Sequence, residues 1–136
     1  MLMAFAIACP IFFNACHQPP QKISVRKAPS DQIAEGKALY ESACAMCHYN
    51  GSGSQTAPDL IGSPILVEQP KRLIRIILHG QSGESVVNGE KFNGHMPAQD
   101  GLSDEEIAAI TAYVRRDFGG ISEGVALQSV ASERNK

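Results

Sequence analysis

The run Cys44-Ala-Met-Cys47-His48 limits what this chain can be more than any other stretch of it. It sets two thiols three residues apart, with an imidazole directly after the second. The rest of the composition makes help from a bound group plausible. The 136 residues amount to one domain plus appendages, with no Trp and only 6% aromatic side chains. A small domain short of large side chains usually relies on disulfides, a metal or a large prosthetic group to complete its core. Disulfides do not fit the pattern here. Cys9 and Cys16 lie in an apolar leader, Cys44 and Cys47 in a polar stretch, and a disulfide framework needs cysteines spread across the fold.

Three chemistries use such a cluster. A thioredoxin-like dithiol expects a βαβ setting, and no such pattern flanks these residues. A zinc site needs two further ligands, for which His79 and His95 are candidates, but no second Cys pair or His pair stands at ligand spacing. The third is covalent attachment of c-type haem, for which C-x-x-C-H is the known pattern. Two thiols at this spacing reach the two vinyl groups on one porphyrin edge, and His48 then meets the iron from the proximal side. For the sixth ligand the candidate is Met96, in Gly94-His95-Met96-Pro97. A thioether is a soft neutral donor that favours ferrous iron and raises the potential. Gly94 relaxes the backbone there and Pro97 stiffens the exit. The rivals are Met46, too close to the attachment site to reach the other face; His95, which points away from Met96 on an extended segment; and His79, near a helix end. A methionine is also ordinary core filler.

Charge and punctuation divide the chain. Residues 1–15 are apolar and uncharged, too short to span a bilayer as a helix, and are expected to be an export signal. Phe13-Asn14-Ala15-Cys16 resembles a bacterial lipobox, so lipid attachment at Cys16 is expected, with simple secretion as the alternative. Residues 16–29, with three prolines and a charge of +3, read as a flexible tether. Residues 30–120 carry a net −5, which argues against nucleic acid as a partner. Within them Ile33, Gly36, Tyr40 and Cys44 share a helical stripe opened by Ser30 or Asp31. Residues 49–68 read mostly as loop. Pro70 opens a second helix with Leu73, Ile74, Ile77 and Leu78 on its apolar face, closed at Gly80. Ser85 to Phe92 reads as a hairpin about Asn88-Gly89. Ser103 and Glu106 form a capping box for a third helix bearing Ile107, Ile110 and Val114, closed by Gly119-Gly120. Residues 121–136 read as a polar C-terminal tail.

From Ser30 to Gly120 the chain resembles the class I mono-haem cytochrome c family. The resemblance rests on the haem motif, on Gly36 and Tyr40 before it, on Ile110 and Tyr113 in the last helix, and on Met96-Pro97. It implies an all-α, cytochrome c-like three-helix domain around one covalent haem c, with a small hairpin between the second and third helices. It implies that Gly36 permits a close crossing of the first and last helices, and that Pro58 offers its carbonyl to His48. Cys44, Cys47, His48 and Met96 are then the cofactor-binding residues, with His48 and Met96 on the iron.

The function expected is one-electron transfer in the periplasm or at the cell envelope, with no bond chemistry of its own. The expected partners are a periplasmic dehydrogenase or a terminal oxidase or reductase, with the membrane reached through Cys16. A haem-based sensor or peroxidase-like protein with an open sixth site is the alternative, as is a haem subunit of a dehydrogenase complex. Arg72 and Arg75 could face a haem propionate or an acidic partner, but a solvated helix face is the favoured reading, and neither is counted as a site residue.

Overall fold

A computed structural model describes residues 29–136. The leader at 1–15, Cys9, Cys16 and the tether lie outside the described residues, apart from residue 29. The first helix, α1 (Pro29–Ala43), runs into a single turn, α2 (Ala45–His48). Then come α3 (Pro64–Glu68), α4 (Pro70–His79), strands β1 (Gln81–Val87) and β2 (Glu90–Met96), α5 (Asp104–Gly119) and α6 (Leu127–Arg134). The fold is mostly helical with one two-stranded sheet. Among the described residues, no helix is long and apolar enough to cross a membrane.

The core forms where apolar stripes meet. Ile33 and Tyr40 of α1 pack toward Ile107, Ile110 and Val114 of α5, with Leu73, Ile74, Ile77 and Leu78 of α4 completing the cluster. Burying each Leu or Ile contributes roughly 1.5–3 kcal/mol, so the four on α4 hold that helix firmly. The crossing of α1 and α5 is tight because Gly36 has no side chain. A Cβ there would overlap the Ala109 carbonyl and come within 2.9 Å of Tyr113 Cβ. Tyr40, Tyr113 and Phe118 gather beside the crossing, with ring centroids 5.3 to 5.7 Å apart. The capping box of α5 is complete. Glu106 N–H donates to Ser103 Oγ at 3.2 Å, and Ser103 N–H donates to Glu106 Oε2 at 2.8 Å. Such a cap contributes about 1 kcal/mol.

The three-helix expectation needs correction in four places. The helices expected are α1, α4 and α5, but three further helical segments stand beside them. The 49–68 loop contains α3, whose Ser63-Pro64 start is a usable N-terminal signal and whose Leu66 is fully buried. The hairpin runs from Gln81 to Met96, with Gln81 opposite Met96 and Ser85 opposite Phe92. Asn88 and Gly89 both take positive φ at its turn, as a two-residue hairpin loop requires. Met96 therefore ends a strand instead of sitting in a free loop, and Pro97, lacking an N–H, stops the ladder. Residues 121–136 are no loose tail. Val130 and Glu133 of α6 are fully buried against the domain. Finally, α1 begins at Pro29, one residue ahead of the expected cap.

Candidate functional site

A mostly apolar concavity of about 480 Å³ lies between the motif turn, α4, the hairpin and α5. That volume falls in the roughly 300–1,000 Å³ range of small-molecule sites. Cys44, Cys47 and His48 form one part of its wall, Leu73 and Ile77 of α4 another, and Ile110 and Val114 of α5 a third. Strand β1 contributes alternate residues, as the twofold period of a strand dictates, while β2 lines the cavity with its last five residues. Gln81, Gly83, Ser85 and Val87 come from β1, and the consecutive Phe92, Asn93, Gly94, His95 and Met96 from β2. Gly83 lies directly opposite Gly94, so the middle of this face carries no side chain. Its emptiness leaves space for a flat ligand.

The motif residues are held by backbone bonds that continue α1. Cys44 N–H donates to the Tyr40 carbonyl at 2.8 Å, and His48 N–H to the Cys44 carbonyl at 3.0 Å. Cys44 is half-buried and Cys47 exposed at the rim, and the two are not bonded to each other. Burial first, and the neighbouring Cys47 second, push the Cys44 thiol up to about 11. A dithiol redox centre needs the opposite shift, toward a stabilised thiolate. The thioredoxin-like reading loses its support here.

His48 Nδ1 lies 3.3 Å from the Pro58 carbonyl. A carbonyl only accepts, so Nδ1 carries the proton and Nε2 keeps its lone pair free. Burial lowers the His48 pKa, opposed by this bond, and favours the neutral imidazole that can ligate a metal. Met96 is half-buried and packs against the core cluster.

The rival ligands are placed elsewhere. Met46 is 85% exposed. His79 Nε2 contacts the Glu133 carbonyl at 3.1 Å, outside the cavity. His95 borders the cavity but is exposed, with Nδ1 2.7 Å from Ser82 Oγ. Among the described residues, no three His, Cys, Asp or Glu side chains converge as a metal cluster, which removes the zinc reading its geometry. Arg75 donates to Glu133 Oε2 from Nε at 3.0 Å and from a terminal nitrogen at 2.7 Å, while Arg72 reaches Gln69 at 3.4 Å. Neither arginine lines the cavity.

Two features of the site escaped the sequence. One is the cavity-facing row of the hairpin, whose signal was the alternation of small residues at Gly83, Ser85 and Gly94. The other is Tyr40, which lines the cavity and whose hydroxyl is buried. Burial raises its pKa and keeps it neutral.

A flat apolar slot with two thiols at its rim, a free imidazole nitrogen and a thioether on its walls fits a covalently bound haem. The fold and the site together define a cytochrome. Comparison with known proteins agrees. Residues 31–114 match the family model described as "Cytochrome C oxidase, cbb3-type, subunit III". Cytochrome c-552 of Thermus thermophilus is 35% identical over 109 residues, covering 76% of this chain and 82% of that one. The fructose dehydrogenase cytochrome subunit of Gluconobacter japonicus is 36% identical over 113 residues, covering 76% of this chain and 22% of its own. A nicotinate dehydrogenase component of Pseudomonas putida is 27% identical over 131 residues, covering 90% of this chain, which spans only 10% of that protein's length. The chain belongs to the class I mono-haem cytochrome c family. It is an electron carrier with covalently bound haem c.

Proposed function

We propose that Cys44 and Cys47 carry the two thioether links, that His48 and Met96 are the axial ligands, and that the protein shuttles single electrons without catalysing bond chemistry. One observation carries this reading. A single, mostly apolar cavity collects both thiols, the imidazole and Met96, although Met96 comes from a strand far along the chain. The haem supplies a one-electron couple at its iron. The Pro58 carbonyl orients His48 and makes it a better donor. Leu73, Ile77, Ile110 and Val114 exclude water, which keeps the reorganisation accompanying electron transfer small. Met96 closes the sixth position and favours the reduced state.

The test is an absorption spectrum with redox titration of protein made with haem-maturation machinery. The expected result is a weak red-end band in the ferric state and one one-electron wave, with slow carbon monoxide binding. Rapid carbon monoxide binding by the wild type would assign the protein to the sensor class instead.

The partners we infer are a dehydrogenase or a terminal oxidase or reductase of the bacterial periplasm or cell envelope. The likeness to the fructose dehydrogenase cytochrome subunit supports the first. The sequence before the domain supports a lipid anchor at Cys16. Membrane association is therefore expected, and Cys16→Ser should release the protein into the soluble fraction. Mass spectrometry that finds an unmodified N-terminus at another residue would reject the anchor.

A further inference from the structure

The segment between Met96 and α5 is held by a residue from the far end of the chain. All three guanidinium nitrogens of Arg134 on α6 are engaged. Nε donates to Asp104 Oδ1 at 2.7 Å, and the two terminal nitrogens donate to the carbonyls of Asp100 at 2.9 Å and Leu102 at 2.7 Å. Asp104 opens α5, while Asp100 and Leu102 lie in the short connection that follows Met96. The other side of that connection is tied to α4, where Gln99 N–H donates to the Ile77 carbonyl at 2.9 Å. Gly80 packs so closely on Met96 and Ala98 that a Cβ would collide with the Met96 carbonyl. The Arg134 end of α6 is fixed in turn, because fully buried Glu133 is bonded to Arg75 and to Lys136.

We infer that Arg134 is a positioning residue for Met96: by clamping the 100–102 carbonyls it limits how often the thioether leaves the iron. This rests on Met96 being the distal ligand. An exposed ion pair by itself contributes little. A planar fork making two bonds to backbone carbonyls is different, since it fixes the path of the chain and a lysine cannot reproduce it. The sub-global opening that frees Met96 has to break those bonds first.

The test uses full-length ferric holoprotein and follows imidazole binding by stopped flow, because imidazole reaches the iron only while Met96 is off. Arg134→Ala should speed binding about tenfold, the consequence of losing charge-assisted hydrogen bonds from the opening step. Arg134→Lys should restore part of the wild-type rate and guards against a variant that fails to fold. Gln32→Ala is the comparison for general loosening. It removes both side-chain bonds to Val125, at the other end of the same C-terminal segment, without touching the Met96 connection. Its rate should stay within about twofold of wild type. The inference is overturned if Arg134→Ala also stays within that range, or if Gln32→Ala is accelerated as much. Met96→Ala separates the two levels. If it binds imidazole no faster than wild type, the ligand assignment fails and this inference with it. If it is fast while Arg134→Ala is not, only the role of Arg134 is lost.

Discussion

Replacing Met96 by alanine is expected to convert a six-coordinate, low-spin haem into an open, high-spin one. The side chain removed is the half-buried thioether at the end of β2, on the cavity wall shared with His48. Alanine offers no donor, so the sixth position passes to water or stays vacant, and carbon monoxide binds readily. The potential should fall by on the order of 0.1 V or more, within the roughly 0.8 V over which axial ligands move haem potentials. The sign follows from softness. A thioether favours the ferrous state, and its loss favours the ferric. Met96→His should keep a low-spin iron but also lower the potential. The control is His95→Ala, which should leave the spectrum nearly unchanged, because His95 is exposed and bonded to Ser82. If Met96→Ala keeps the wild-type spectrum and His95→Ala or His79→Ala loses it, the ligation is bis-His.

The second large effect concerns attachment. With Cys44 and Cys47 both changed to alanine, holoprotein should not accumulate, while acid–acetone extraction of the wild type should leave its haem on the polypeptide. The consequence reaches beyond the cofactor. With the cavity of about 480 Å³ left without its group, the apolar side chains of α4 and α5 that line it lose their packing partner. A small domain has only about 5–15 kcal/mol of net stability in total. The double variant should therefore lose most of its cooperative thermal unfolding, read by circular dichroism. Haem that extracts freely from the wild type, or a double variant that unfolds like the wild type, would contradict covalent attachment as the basis of the fold.

What the amino-acid sequence determined by itself was whatever depends on neighbours in the chain. The stripe of Ile33, Gly36, Tyr40 and Cys44, the capping box of Ser103 and Glu106, the apolar face of α4 and the Asn88-Gly89 turn are local patterns, and each stands where its periodicity or cap chemistry put it. The haem motif is local too, since two thiols and an imidazole within one turn need no distant partner to be recognised. Tertiary structure decided the remainder, because its causes are long-range. Helix α6 looked like a polar tail, since its buried Glu133 is tolerable only with Arg75 from α4 and Lys136 beside it. Likewise the strand character of Gly94 to Met96 comes from pairing with β1, and the sequence around Met96 reads equally as a loop. The cavity itself exists only after α1, α4, α5 and the hairpin have packed, so its empty Gly83–Gly94 face and the buried Tyr40 hydroxyl leave no signature in the order of residues.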